Sequence, residues 1–221
     1  MTTLTSAPLA PLLDRLFAAA DESSPMRQAA LRDLPADEIA RLRASKTEYL
    51  DFYGRMKDVP LPVSRETGTL LYMLARGAKA RNIVEFGTSF GISTLHLAAA
   101  LRDNGGGRLI TTEFESSKVT RARENLTAGG LIDLVEIREG DALATLKTGL
   151  PDAIDLVLMD GAKPLYPEIL ALIEGRLRPG AFVVADDADA SPDYLKRVRS
   201  TAHGYLSTPF GDDVEVSMRL M

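Results

Sequence analysis

The stretch IVEFGTSFGIST, residues 83–94, decides which fold the rest of the chain can adopt. It opens with a short, mostly apolar run from Ile83 to Phe86 that contains one acidic residue, Glu85. Gly87 and Gly91 then bracket a tight turn, and a helical pattern begins near Ile92. A strand, a glycine turn and a helix in this order form the repeating unit of a parallel α/β sheet.

The composition of this turn indicates what kind of ligand it suits. Glycine permits positive φ angles and close approach of the backbone to a ligand. The spacing Gly-x-x-x-Gly differs from the G-x-G-x-x-G that holds a pyrophosphate on a helix N-terminus, which disfavours a nicotinamide dehydrogenase. Glu85 at the strand end suits a cationic or hydroxyl-bearing ligand better than a dianion. The alternative is that a glycine-rich turn is simply a favourable loop with no ligand.

Further apolar runs alternate with helical patterns on the C-terminal side of this stretch. Runs of four to six apolar residues indicate strands that are covered on both faces. The predicted strands are Asn82–Phe86, Leu109–Glu113, Leu134–Arg138, Ile154–Met159 and Phe182–Ala185. The predicted helices between and after them are Ile92–Leu101, Ser116–Ala128, Tyr166–Leu177 and Pro192–Thr201.

The tail departs from this alternation. Tyr205–Pro209 and Val214–Leu220 are separated by too few residues for a crossover helix, so they predict an antiparallel hairpin at the sheet edge. The fold class is therefore α/β, a Rossmann-like, doubly wound and mostly parallel seven-stranded sheet with extra N-terminal helices. We expect one domain, with residues 1–62 as a helical cap and residues 63–221 as the α/β core.

Composition limits the classes of partner. The net charge of −5 without a Lys/Arg-rich run disfavours nucleic acid. No window approaches 18 uninterrupted apolar residues and the N-terminus lacks a basic region, so we expect neither a membrane span nor a secretory signal. The chain has no cysteine, which excludes disulfides and thiolate ligands and fits a cytoplasmic protein.

Carboxylates stand at the ends of the second and third predicted strands, where open parallel sheets bind their ligands. Glu113 is placed to accept both ribose hydroxyls of a nucleoside, or else it is an acid in the first turn of the next helix. Asp141 and Ala142 stand where an adenine edge is read, or else Asp141 is a helix N-cap.

Three more carboxylates follow the fourth and fifth strands. Asp160, Asp186 and Asp187 converge if those strands are neighbours, and a hard divalent cation would relieve their repulsion. The alternative is a solvated acidic turn ahead of a helix. Zinc is disfavoured because only His96 and His203 offer nitrogen, and His96 is expected to be a packed helix residue.

Five runs in order resemble the catechol and caffeoyl-CoA O-methyltransferase family from Pro62 to the C-terminus. They are IVEFGTSFGISTLHLAAAL, ITTEFESSKVTRARENLTAGGL, EIREGDALATL, DLVLMDGAKPLYPEIL and LRPGAFVVADD. The resemblance implies a class I enzyme that uses S-adenosyl-L-methionine. It implies a cofactor pocket made by Val63, Glu85, Gly87, Thr88, Ser93, Glu113, Asp141, Ala142 and Asp160.

The resemblance also implies the chemistry at the acidic strand ends. It places a divalent metal, Mg²⁺ or another cation such as Mn²⁺ or Ca²⁺, on Asp160, Asp186 and Asp187. Asp187 departs from the asparagine that is usual in the family. Lys163 would be the general base acting beside Asp160, and burial and the metal are expected to lower its pKa so that a neutral amine is accessible.

The acceptor is expected to be a small hydroxylated molecule, catechol-like or a natural-product intermediate. Its walls are expected to come from the N-terminal helices and from Tyr53, Met56, Val63 and the Asp212–Asp213 turn. The resemblance further implies a homodimer. Two alternatives stay open: a metal-independent N- or carboxyl-methyltransferase, and a nucleoside-binding regulatory protein that has lost catalysis.

Overall fold

The computed structural model describes residues 1–221, with every side chain except that of Pro25. In this described chain the helices are α1 Leu9–Asp21, α2 Ser24–Ala30, α3 Ala36–Arg43, α4 Tyr49–Gly54, α5 Arg65–Gly77, α6 Ile92–Asp103, α7 Ser116–Ala128, α8 Ala142–Thr145, α9 Tyr166–Ile173 and α10 Pro192–Val198. The strands are β1 Asn82–Phe86, β2 Arg108–Glu113, β3 Val135–Glu139, β4 Ile154–Met159, β5 Leu177–Ala185, β6 Tyr205–Phe210 and β7 Val214–Arg219.

The strands form one seven-stranded sheet in the order β3-β2-β1-β4-β5-β7-β6. Strands β1 to β5 are parallel, whereas β7 runs antiparallel to β5 and β6 antiparallel to β7. The predicted fold class, including the C-terminal hairpin, is confirmed. The strand order reverses between β1 and β4, and ligands of open α/β sheets bind beside the strand ends at such a point.

Successive strand residues face opposite sides of the sheet and enter two different cores. Ile83 and Leu109 are fully buried in a core shared with α1, α5, α6 and α7. Val84 and Ile110 are equally buried in the other core, with α8, α9 and α10. Burial on both faces explains why the strands read as continuous apolar runs.

The N-terminal region is more divided than its sequence pattern suggests. Apolar residues recur at helical spacing from Pro35 to Phe52, which predicts one helix, but this stretch forms two helices, α3 and α4. Between them the Ser45 hydroxyl accepts hydrogen bonds from the backbone N–H groups of Thr47, at 3.3 Å, and Glu48, at 3.1 Å. A serine that bonds nearby backbone in this way competes with helix continuation.

Helix α1 packs into the same core as α6, through Leu9, Leu13 and Phe17. Helices α3 and α4 instead contribute to a smaller cluster with Leu42, Phe52 and Met56. The division at residue 62 stays a prediction. Within the described chain, no helix has both the length and the apolar character needed to cross a membrane.

Asp155 ties the N-terminal edge of the sheet together. Its Oδ2 accepts the backbone N–H groups of Arg81 at 2.7 Å and Asn82 at 2.8 Å, and its Oδ1 accepts from the Arg178 guanidinium. Burial alone would raise the pKa of Asp155, but these donors outweigh it and hold that pKa below its usual value.

We expect Asp155→Ala to lower the free energy of unfolding at pH 7 by about 2–3 kcal/mol, since it leaves three donors without their acceptor. Because the folded-state pKa lies below the unfolded one, this contribution is present above the unfolded pKa. It is lost as pH falls below about 4. Chemical denaturation at pH 7 and pH 3 measures both effects. As the control, Asp152→Ala removes an exposed partner of Arg176 and should cost less than about 1 kcal/mol. Equal losses in the two variants would contradict this role for Asp155.

Candidate active site

The glycine turn brings the end of β1 against the end of β4. Gly87 has a φ of +102°, and a Cβ atom there would lie 2.6 Å from the carbonyl oxygen of Asp160. The Asp160 N–H in turn donates to the carbonyl of Phe86 at 2.8 Å. Gly91, with a φ of +84°, is the N-cap residue directly before α6. The absence of a side chain at Gly87 is therefore what allows Asp160 to stand beside the turn.

A cleft opens above this contact, at the point where the strand order reverses. This strand-end cavity encloses about 600 Å³ of empty space, part of it open to solvent. It is lined by Gly87, Glu113, Asp141, Ala142 and Asp160, which are five of the predicted cofactor residues. Residues from four separate strand ends are thus brought to one place.

The carboxylate of Glu113 is held in a fixed orientation at this cavity. Its Oε2 accepts the N–H of Ser89 at 2.9 Å and its Oε1 accepts the N–H of Glu115 at 3.0 Å. The residue is 8% exposed. Burial raises the pKa of Glu113 above its usual value, against the N–H of Glu115 and the ammonium of Lys118, which lower it. Each oxygen keeps a lone pair for a ligand.

Asp141 has the N-cap role that the sequence left open, while it also borders the cavity. Its side chain accepts the N–H of Leu143 at 2.9 Å, which starts the short helix α8. Burial, followed by the neighbouring Asp141 carboxylate, raises the pKa of the Tyr49 phenol to about 12. Capping and cavity lining are therefore compatible at this position.

Four of the predicted cofactor residues lie outside the lining of the strand-end cavity, among the described side chains. Glu85 is fully buried and accepts hydrogen bonds of 2.6 Å each from the hydroxyls of Ser93, Thr94 and Thr111. Burial raises the pKa of Glu85 to about 7. These contacts join β1, β2 and α6, so Glu85 and Ser93 as cofactor ligands stay a prediction.

Thr88 and Val63 are the other two predicted cofactor residues outside the lining of the strand-end cavity. The Thr88 hydroxyl contacts that of Thr111 at 2.5 Å and donates to the carbonyl of Thr112 at 2.9 Å, which fastens the glycine turn to β2. Val63 is 2% exposed and lies in the segment that joins α4 to α5. Direct cofactor contacts by these two residues also stay predictions.

A second cleft, the cap cavity, lies under the N-terminal helices and encloses about 1070 Å³, part of it open to solvent. Of the residues expected to form the acceptor walls, Tyr53, Met56 and Asp213 line it, whereas Val63 and Asp212 do not. Lys163 and the three acidic residues discussed next line it as well. The two cavities share Tyr53, Leu61, Asp160 and Gly161 in their linings. They are therefore adjacent, with Asp160 at their boundary.

The three acidic residues that the sequence predicted to converge surround one lysine. The Lys163 ammonium lies 2.7 Å from Oδ1 of Asp160, 3.8 Å from Oδ2 of Asp186 and 3.7 Å from Oδ2 of Asp187. Asp187 also contacts the Arg43 guanidinium at 3.3 Å and has a φ of +48°. In the described part of the chain, no three acidic or histidine side chains lie in an arrangement that could hold a metal ion as the side chains stand.

The pKa of Lys163 differs from the expected one. Burial alone would lower it, but electrostatic attraction by Asp160, followed by Tyr166 and Asp186, holds the pKa of Lys163 well above its usual value. Burial by itself therefore does not produce the expected lowering, because Asp160, Tyr166 and Asp186 together outweigh desolvation. The lowering expected in the presence of a metal stays a prediction. Burial and the adjacent Asp160 carboxylate also raise the pKa of Asp186.

His96 lies apart from both cavities. It is 4% exposed within α6, where its Nδ1 bonds the Ile92 carbonyl at 2.8 Å and its ring packs edge-on to Phe17. Burial lowers the pKa of His96, which favours the neutral ring. It is a packed residue rather than a site residue.

Several lining residues were missed from the sequence, namely Tyr49, Leu50, Ser89, Phe114 and Lys118. Tyr49 and Leu50 come from α4, whose position over the sheet has no sequence signal. The position of Lys118 did have a sequence signal. It lies four residues before the buried Ala122 and thus on the buried face of α7, close to the carboxyl edge of the sheet.

Known proteins resemble this chain in sequence and fold. Residues 84–188 match the methyltransferase domain family. A putative O-methyltransferase of Mycobacterium sp. (strain JLS) is 30% identical over 174 residues, which cover 71% of this chain and 79% of that protein. The solved structure of the O-methyltransferase TomG from Streptomyces achromogenes, involved in tomaymycin synthesis and in complex with S-adenosylmethionine, is 28% identical. It superposes with a TM-score of 0.65 over 86% of this chain and 92% of that chain.

The chain belongs to the class I S-adenosylmethionine-dependent O-methyltransferase family. A further relative is the catechol O-methyltransferase of Niastella koreensis, 36% identical over 130 residues. That match covers 58% of this chain and 58% of the Niastella protein, so the chain spans less than two thirds of that relative.

The contact between the glycine turn and Asp160 can be tested with a matched pair of glycines. Gly87 and Gly106 share a φ of +102°, but a Cβ at Gly106 meets nothing within 4 Å. Both alanine variants carry the same backbone strain, whereas only Gly87→Ala also collides with the Asp160 carbonyl. We expect Gly87→Ala to lose at least about 1 kcal/mol more unfolding free energy than Gly106→Ala, measured by denaturant titration. Indistinguishable losses would show that this contact is not tight.

Proposed function

We propose that this chain transfers the methyl group of S-adenosylmethionine to a hydroxyl of a small acceptor, with the help of a divalent cation. The observation that carries this proposal is the meeting of two cavities at Asp160, with Lys163 on the acceptor side. A cofactor in one cavity and an acceptor in the other would be held next to each other, which is the main requirement of a direct group transfer.

The strand-end cavity is the proposed cofactor site. The fixed carboxylate of Glu113 would accept the ribose hydroxyls, and Asp141 with Ala142 would border the adenine. Gly87 would let the sulfonium approach the backbone of the turn. The S-adenosylmethionine complex of the TomG protein supports this assignment, because its fold is shared over most of both chains.

The donor set at the strand ends suits a hard divalent cation in its chemistry. Asp160, Asp186 and Asp187 supply carboxylate oxygens, the ligand type that Mg²⁺, Mn²⁺ and Ca²⁺ prefer. Three carboxylates face the buried Lys163 ammonium, and Arg43 pairs with only one of them, Asp187, so formal negative charge still exceeds positive charge at this site. These three residues would hold the ion. When bound, such an ion lowers the pKa of an acceptor hydroxyl as it does that of water.

Lys163 is the proposed proton acceptor, assisted by Asp160. The carboxylates alone keep its amine protonated, as its raised pKa shows. Neutralising their charge removes the cause of that raised pKa, and burial then favours the neutral amine. Lys163 would next take the proton of the acceptor hydroxyl. The resulting oxyanion attacks the methyl carbon, an O–C bond forms, the S–C bond breaks, and the electron pair stays on sulfur.

The cap cavity would receive the acceptor. Its wall combines Tyr53 and Met56 with the acidic residues and Lys163 at one end, which suits a small molecule with an apolar body and a hydroxylated edge. The name of the Niastella relative, catechol O-methyltransferase, supports a catechol-like acceptor with two adjacent oxygens. A homodimer and a cytoplasmic location stay predictions from the sequence.

Removal of divalent cations separates this proposal from a metal-independent methyltransferase. We expect exhaustive chelation to lower methyl transfer to catechol by at least about 100-fold, and Mg²⁺ to restore it, because the carboxylates then hold the ion again. Calorimetric binding of S-adenosylhomocysteine should stay within about threefold, since the strand-end cavity needs no ion. Turnover that survives chelation would contradict metal assistance.

The role of Lys163 can be tested by Lys163→Met, with Lys196→Met on the exposed face of α10 as control. We expect the site variant to lower kcat by about 100-fold or more, because it removes the proton acceptor, while the cofactor dissociation constant changes little. Steady-state kinetics and calorimetry measure the two effects, and thermal melting confirms folding. A rate within a few-fold of the control would overturn the general-base assignment.

A further inference from the structure

The strand-end cavity contains a charged residue that the proposed reaction does not use. Lys118 lies in the first turn of α7 and is only 4% exposed, yet it lines this cavity. Its Nζ lies 5.9 Å from the centre of the Phe90 ring. A lysine is rarely buried to this degree unless a partner compensates it.

Lys118 lacks a direct partner among the described side chains. It forms none of the described ion pairs or hydrogen bonds, although Glu113, Glu115, Asp160 and Asp58 are near enough to attract its charge. Glu113 exerts the largest of these attractions. Glu113 and Lys118 therefore face the same cavity with opposite charges and without touching each other.

A ligand that fills this cavity takes the place of the water that reaches the two groups. A buried ammonium left without an acceptor is unfavourable by several kcal/mol, so such a ligand has to accept a hydrogen bond from Lys118 and offer a donor to Glu113. A ligand that offers both a hydrogen-bond donor and an acceptor would satisfy the two groups together. A vicinal diol does so, because each hydroxyl donates one hydrogen bond and accepts others.

We propose that Lys118 binds the cofactor, donating a hydrogen bond to a ribose hydroxyl oxygen while Glu113 accepts from the ribose hydroxyls. This inference rests on the proposed cofactor site and adds a residue to it. The ribose fits better than the carboxylate end of the cofactor, because a carboxylate placed at Lys118 would also face the negative charges of Glu113 and Glu115. Lys118 thus makes the cavity selective for an intact diol.

The test compares three probes with and without the lysine. S-adenosylhomocysteine has the diol and the amino-acid end, 5′-methylthioadenosine has only the diol, and the 2′,3′-dideoxy form of S-adenosylhomocysteine has only the amino-acid end. Their dissociation constants are measured calorimetrically for the unmodified chain, for Lys118→Met and for the control Lys147→Met, an exposed lysine. Melting curves check folding, and Lys118→Gln serves as a second variant that retains a weaker donor.

We expect Lys118→Met to raise the dissociation constants of both diol-bearing probes by about tenfold or more, and to change that of the dideoxy probe by no more than about twofold. For the diol-bearing probes, the dissociation constants of Lys118→Gln should lie between those of the unmodified chain and those of Lys118→Met. The dissociation constants of Lys147→Met should match those of the unmodified chain. Equal weakening of all three probes would mean that Lys118 only supports the fold, and would overturn the inference. Weaker binding of S-adenosylhomocysteine with unchanged binding of methylthioadenosine would place Lys118 at the carboxylate end of the cofactor. That result would also overturn the inference.

The outcome also distinguishes this inference from the proposed function. If the unmodified chain binds S-adenosylhomocysteine but Lys118→Met binds it equally well, only the role of Lys118 fails. If the unmodified chain binds none of the three probes, the cofactor site and the role of Lys118 fail together.

Discussion

The contact between the ends of β1 and β4 is the constraint on which both cavities depend. Gly87 lets the Asp160 backbone lie where any side chain would collide with it, and the Asp160 N–H bonds the Phe86 carbonyl. The fully buried Tyr166 hydroxyl lies 2.7 Å from the carbonyl oxygens of Met159 and Asp186, which joins the ends of β4 and β5. Asp160 is thus fixed at the boundary between the strand-end cavity and the cap cavity.

Charge gives the two cavities different chemistry. Beside the cap cavity, the ammonium of Lys163 lies close to three carboxylates, and Asp160 and Asp186 help to hold its pKa well above the usual value. Beside the strand-end cavity, Glu113 and Lys118 carry opposite charges and have no direct contact. One side suits a cation and a hydroxyl, and the other suits a molecule that both donates and accepts hydrogen bonds.

The sequence predicted the sheet well because each strand is apolar on both faces and each is followed by a recognisable helix. The ends of β1 and β4 were predicted to the residue. The α3–α4 break was missed, because one serine hydroxyl competing with the helix leaves little trace in hydrophobic periodicity. The sequence indicated those cavity-lining residues that stand at the ends of strands, such as Glu113 and Asp160. The direction of the Lys163 pKa was not predictable, because it depends on distances between side chains from three separate segments.

The most direct measurement of the central claim is a calorimetric titration of the unmodified chain with S-adenosylmethionine itself, followed by mass spectrometry of a catechol incubated with both. The account predicts saturable binding of one cofactor per chain and a catechol product heavier by one methyl group, with S-adenosylhomocysteine formed in equal amount. Absence of cofactor binding would contradict the assignment of the strand-end cavity. Binding without a methylated product would contradict the assignment of the cap cavity to this class of acceptor.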